Sequence, residues 1–78
     1  MCASESDLIF DANECAQAAA FLGYAYEESA NDGLSTSICN LCEGCEPMYA
    51  RLTTTHGRMA SFICRNRRKL PFQKIIFV

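Results

Sequence analysis

The chain has 78 residues, half of them hydrophobic, with six cysteines and a formal net charge of −2. That length permits one small domain with a modest core, the size class in which a metal or disulfides commonly supplement burial. The apolar half of the composition excludes wholesale disorder, no apolar run approaches the ~20 residues of a membrane span, and an isoelectric point near 5.2 speaks against nucleic acid as the main partner.

Residues 1–6 read as a polar lead-in. Met1 to Asp11 is acidic and has neither a basic n-region nor an apolar h-region, so the expectation is a protein without a secretory leader. Its location is then cytoplasmic, with thiols that are free, metal-bound or redox-active. Ser4 with Asp7 three residues on offers a capping box, and Asp7 and Asp11 lie where a helix dipole favours negative charge. Leu8, Ala12, Cys15, Ala19, Leu22 and Tyr26 then recur at spacings of four and three. That rhythm predicts one long helix over 7–30 with a single apolar stripe, stopped at Asn31-Asp32-Gly33. The alanine-rich stripe predicts close approach of another backbone. Ile9, Phe21 and Tyr24 fall off it and read as core side chains covered by the C-terminal half or a partner.

Residues 31–37 form a polar linker. Next comes Cys39-Asn40-Leu41-Cys42-Glu43-Gly44-Cys45, with Glu46-Pro47 leading out of it. Met48 to Thr55 is ambiguous, since Tyr49, Leu52, Thr53, Thr54 and Thr55 are strand formers whereas Pro47 suits the opening of a short helix; His56-Gly57 reads as a turn, and Met59 to Cys64 as a returning strand. The pair predicts a hairpin within a cysteine knuckle spanning 38–67. A tail over 68–78 follows, beginning in the basic run Arg65-Asn66-Arg67-Arg68-Lys69 and ending in Lys74-Ile75-Ile76-Phe77-Val78. An apolar terminus of that kind pairs with a sheet or docks on the helix, because left in water it would aggregate. The expected fold is α+β in a single domain over 1–78: one long N-terminal helix, a small cysteine-rich β-hairpin knuckle and a C-terminal strand.

Charge is segregated along this plan. All nine acidic residues lie within the first 46 positions and all seven basic ones after position 50. The two halves either neutralise each other inside the fold or leave a bipolar surface for protein contacts.

The cysteines carry the loudest chemistry. Cys39, Cys42 and Cys45 make two overlapping Cys-x-x-Cys turns, each with the bite for two corners of a tetrahedral zinc at Zn–S near ~2.3 Å. Cys64 supplies a further ligand and His56 is the alternative. The same rhythm of three close cysteines and one remote also suits a [4Fe–4S] cluster, although Cys64 is followed by Arg65 where ferredoxins carry proline. A thiol redox pair is a third reading, and small buried metal-free thiols a fourth. The expectation is a structural zinc. Cys15 reads as helix core and Cys2 as incidental. The lone histidine has no nucleophile partner in sequence and there is no glycine-rich phosphate loop, so the expectation is a non-enzyme.

Leu41-Cys42-Glu43-Gly44-Cys45, Pro47-Met48, Arg51-Leu52 and Cys64 together resemble the DksA/TraR family of small zinc-finger proteins. In this sequence the family's fourth cysteine would fall at Arg67, so Cys39 or His56 would have to complete the set, and the stretch from Cys45 to Arg51 is two residues short of the family pattern. The resemblance implies an acidic helix entering the secondary channel of bacterial RNA polymerase, with Asp7 or Asp11 acting near the catalytic Mg²⁺. The expected function is therefore a metal-stabilised regulator of a protein machine, with RNA polymerase as the implied partner. Its contacts would run through Asp7, Asp11, Arg65, Arg67, Arg68 and Lys69. The alternative is a metal-free inhibitor or adaptor of the kind phages and mobile elements encode, binding protein through its acidic helix. A nucleic-acid contact of the basic run is secondary, and no membrane partner is expected.

Overall fold

The computed structural model describes residue 2 and residues 5–54, 60–66 and 71–77. Helix α1 covers Ala12–Leu22. It starts where Asp11, in extended conformation, accepts the Glu14 N–H at 2.9 Å on its carboxylate and so satisfies one of the orphan donors of the first turn. It stops at Gly23, whose φ of 87° lies in the left-handed region. There the Gly23 N–H bonds the Ala20 carbonyl at 3.1 Å and the Tyr24 N–H the Ala19 carbonyl at 2.8 Å, a Schellman ending that reverses the chain.

Those two caps overturn the long helix predicted over 7–30. Leu8 and Ile9 are extended and hydrogen-bonded into the sheet, Ala25–Tyr26 form strand β1, and Glu28–Ala30 is a single 3-10 turn. Apolar spacing alone did not register the stop, because Gly23 falls between stripe positions Leu22 and Tyr26 without interrupting their rhythm.

The remaining strands are β2 (Ile38–Leu41), β3 (Tyr49–Thr53), β4 (Ala60–Arg65) and β5 (Phe72–Phe77). They form one curled, mixed sheet in the order β1-β3-β2-β4-β5, with only the β1–β3 pair parallel. The chain is α+β, but the hairpin knuckle is overturned too: β3 and β4 do not pair, because β2 lies between them. Cys39 and Leu41 face the helix side at registers opposite Leu52 and Ala50, so the start of the cysteine stretch is the central strand rather than a turn. The opposite face of that strand carries Asn40, 1% exposed. Its amide donates to the Ile38 carbonyl at 2.6 Å and to Thr53 Oγ1 at 3.0 Å, which makes burial of a polar side chain tolerable.

Helix α1 lies on one face of the sheet, its Cys15, Ala18 and Ala19 packing with Ile9, Cys39, Leu41, Ala50 and Ile63 in one core cluster. Alanine on the helix lets it approach the strands closely, and Leu22, Tyr24, Tyr26, Leu52 and Phe72 close the margin. The other face holds a smaller cluster of Cys2, Leu8, Phe62 and Cys64. The two meet at the N-terminal segment. Strands β2 and β4 pair only through Asn40↔Phe62 and Leu41↔Ser61. Beyond that point they part, and Leu8–Ile9 enters the gap: Leu8 bridges Cys64, and the Cys39 N–H donates to the Ile9 carbonyl at 2.9 Å. Ile9 points into the first cluster and Leu8 into the second, the alternation of a strand.

Three disulfides fasten this arrangement: Cys2–Cys64, Cys15–Cys39 and Cys42–Cys45, with Cα separations of 5.7, 5.4 and 5.4 Å. The first ties the N-terminal wedge to β4 across 62 residues, the second the helix to the central strand across 24, and the third closes a turn across 3. On the chain-entropy account the two long loops are worth ~4 and ~3.5 kcal/mol respectively, the short one much less. A bidentate ion pair reinforces the first two: Arg65 donates from Nε and Nη2 to Glu14 at 2.6 and 2.5 Å, and from Nη1 to the Ser6 carbonyl at 2.9 Å.

Candidate functional site

The cysteines expected to hold zinc are divided among disulfides. Cys39 is joined to Cys15, Cys64 to Cys2, and Cys42 to Cys45. A sulfur in a disulfide has no thiolate to give a metal, so the structural-zinc expectation and its iron–sulfur variant are corrected: the staples are covalent. Among the described residues no group of three or more His, Cys, Asp or Glu is placed to hold a metal ion. His56, the alternative ligand, lies outside the described residues. Cys2 and Cys15, read from the sequence as incidental and as helix core, are the partners that take Cys64 and Cys39 out of the set.

Of the residues expected to contact a partner, Asp11 is the helix cap and Arg65 the clamp on Glu14. The Arg65 guanidinium holds the Glu14 carboxyl below its usual range through their hydrogen bonds, while Glu14 raises Arg65 in return, and Asp7 adds to that cationic preference from the end of the 3-10 turn Glu5–Asp7. The structure thus brings Asp7, Glu14 and Arg65 together at the helix N-terminus, where acidic and basic halves of the sequence neutralise each other. Arg67, Arg68 and Lys69 lie outside the described residues. The solvent-facing side of α1 is left with Asn13, Gln17, Ala20 and Phe21.

A densely hydrogen-bonded surface feature is a loop that the sequence suggested was a linker. Beyond β1 the chain runs along the outer edge of β3, and side chains stand in for strand pairing there. The Leu52 N–H donates to Asn31 Oδ1 at 2.8 Å and the Thr54 N–H to Asp32 Oδ2 at 2.7 Å, while the Asp32 N–H reaches the Leu52 carbonyl at 3.3 Å. Asn31 Nδ2 donates to the Tyr26 hydroxyl at 2.8 Å. Asp32 Oδ1 also accepts the Leu34 N–H at 3.0 Å and the Ser37 hydroxyl. The Ser37 N–H closes back on the Leu34 carbonyl at 3.2 Å, and the Thr36 and Thr54 hydroxyls share a hydrogen bond at 3.3 Å. At the tip of this bonded loop Leu34 is 57% exposed, more than either Phe10 at 51% or Phe21 at 46%.

The signal for this loop was present in Asp32-Gly33. An aspartate that binds the N–H two residues on makes an Asx turn, and the following glycine adopts the positive φ the turn requires, here 74°. The same residues also suit the end of a helix, and the long stripe favoured that reading.

Three donors on one carboxylate have a measurable consequence. The Ser37 hydroxyl foremost, then the Thr54 and Leu34 amides, lower Asp32 from its ordinary value of 3.8 to about 2. Because the folded-state value is the lower one, the loop network stabilises the fold fully above about pH 4 and is lost as the pH falls toward 2. In thermal melts across that range the wild type should therefore lose stability that an Asp32→Asn variant does not lose. The lowered Glu14 gives both proteins a shared background loss below its ordinary 4.5. Parallel pH profiles for the two proteins would remove Asp32 from the anchor role.

Among the described residues no helix is long and apolar enough to cross a membrane. Compared with protein-family models, with curated proteins and with solved structures, the chain matches none.

Proposed function

We infer that the chain is a disulfide-stapled protein-binding module that presents Leu34 to its partner on a pre-organised loop. The carrying observation is the hydrogen-bond network of Asp32, which fixes the Gly33–Thr36 tip while leaving Leu34 mostly in water. Ordering an apolar side chain at an exposed tip does nothing for the core. It does lower the cost of association, because the freedom of the loop backbone is already surrendered before the partner arrives. The partner chemistry that fits is an apolar pocket with a polar rim able to meet Ser35, Thr36 and the loop carbonyls.

The reading keeps protein binding and sets aside metal stabilisation. It also moves the contact from the acidic helix to the loop, since the Asp11 and Glu14 carboxylates already hold the helix N-terminus and Arg65. With the finger's cysteines in disulfides, RNA polymerase is not carried forward as the partner. The location moves as well. The cytosol suited free or metal-bound thiols, whereas a chain with every cysteine paired suits an oxidising compartment, outside the cell or in a secretory lumen or periplasm.

Affinity capture with immobilised wild type, Leu34→Asp and a Phe10→Ser control tests the reading. A protein held by wild type and control but lost from Leu34→Asp, with a Kd at least ~30-fold weaker by titration, is the expected result for a central apolar anchor. Equal retention by all three proteins would overturn the assignment of the loop.

A further inference from the structure

Two of the three disulfides are built into the interior and one is not. Cys15, Cys39 and Cys64 are 0% exposed and Cys2 8%. Cys42–Cys45 instead closes a turn whose two intervening residues, Glu43 and Gly44, are exposed, as are Glu46 and Pro47 after it. Cys45 is half-buried, and Cys42 behind it is 8% exposed.

The turn is also held by contacts other than sulfur. The Cys42 N–H donates to the Tyr49 carbonyl at 2.8 Å, the Cys45 N–H to the Cys42 carbonyl at 3.3 Å, and the Ser61 hydroxyl to Glu43 Oε1. Those bonds are independent of the S–S link. They keep the two sulfurs near each other when it opens, so the pair can close again.

We propose that Cys42–Cys45 is a thiol–disulfide exchange site, reduced by an external dithiol of neutral or positive charge while Cys2–Cys64 and Cys15–Cys39 stay closed. A thiolate of the dithiol attacks Cys45 Sγ, the more accessible sulfur. The S–S bond breaks, and Cys42 leaves as a thiolate that takes up a proton. The second sulfur of the dithiol, as thiolate, then displaces Cys45 from the mixed disulfide, and Cys45 is protonated in turn. Two electrons pass to the protein: its disulfide becomes two thiols, and the dithiol becomes a disulfide. The charge preference comes from Glu43 and Glu46, which flank the pair and repel an anionic attacking thiolate that carries further negative groups. The other two disulfides are less open to the same attack, because Cys15, Cys39 and Cys64 are 0% exposed and Cys2 8%.

The test is graded reduction of the native protein with dithiothreitol and trapping with iodoacetamide. Labelling of each cysteine is read by peptide mass spectrometry, with near-ultraviolet circular dichroism followed in parallel. Cys42 and Cys45 should label roughly ten-fold or more faster than the other four, with the dichroism unchanged. Simultaneous labelling of all six, or earlier labelling of Cys2 and Cys64, would overturn the proposal. A Cys42→Ser/Cys45→Ser protein should lose the fast labelling and keep the dichroism, and a fast pair surviving in it would count equally against the site. For the charge preference, reduction by glutathione is compared with reduction by uncharged 2-mercaptoethanol. Glu43→Gln/Glu46→Gln should bring the two rates closer, and an unchanged ratio would refute that part.

Discussion

Replacing Cys15 and Cys39 together by alanine is expected to remove about 3 kcal/mol or more of stability, roughly 12–25 °C in Tm for a domain of this size. The bond closes a loop of sequence separation 24 between two sites that are both fully buried. Its loss frees the denatured chain and also leaves two small side chains where a bridge filled the space between helix and sheet. In so small a core the neighbours offer little to collapse into the gap, since Ala18, Ala19 and Ala50 are themselves minimal. The comparison protein is Cys42→Ala/Cys45→Ala, whose loop has a separation of 3 and whose turn keeps its own hydrogen bonds. Thermal unfolding of both, followed by circular dichroism under non-reducing conditions, should rank the buried pair as much the more costly. Equal losses would mean that loop length and burial do not set the value of these bonds.

What could be read from the sequence divides along physical lines. Cys15 and Ala19 on the stripe do face the core, but the start was misplaced: the expected helix began at Asp7, whereas Asp11, read as a first-turn residue, is the N-cap. Its end was misplaced too. A period of 3.6 residues also fits a chain that turns at Gly23 and re-enters as a strand, and nothing in the apolar spacing separates the two. The cysteine stretch misled for a related reason. Cys-x-x-Cys-x-x-Cys describes spacing along a chain, whereas metal binding depends on which faces the sulfurs occupy. Cys39 sits on a strand and faces the helix, while Cys42 and Cys45 lie past the strand's end, so the three never converge. Cys2 and Cys15, which decide the pairing, are 62 and 24 residues from their partners. Pairing over such distances is fixed by tertiary topology and cannot be deduced from spacing. The Asp32 loop was hidden by its composition: polar, small and glycine-containing, it looks like a linker until the donors converging on Asp32 are seen.

The second large effect concerns Ile9, and it tests the least expected part of the fold. Ile9→Ala should cost ~2–5 kcal/mol, with Phe10→Ala next to it near neutral. Ile9 is 0% exposed against Phe10 at 51%, so two adjacent hydrophobic residues are predicted to differ by nearly the full value of a buried side chain. The difference follows from the wedge. Strands β2 and β4 part beyond Asn40↔Phe62, and the N-terminal segment fills the opening with a carbonyl for the Cys39 N–H and a side chain for the main core. Alanine keeps the carbonyl, so the measured loss isolates the side chain, and Ile9→Val should cost only ~0.5–1.5 kcal/mol. Denaturant unfolding of the three variants provides the ranking. A Phe10→Ala loss equal to that of Ile9→Ala would mean that the segment does not sit between the strands. The Cys2–Cys64 bond would then tether a loose end instead of locking the Leu8–Ile9 wedge between β2 and β4.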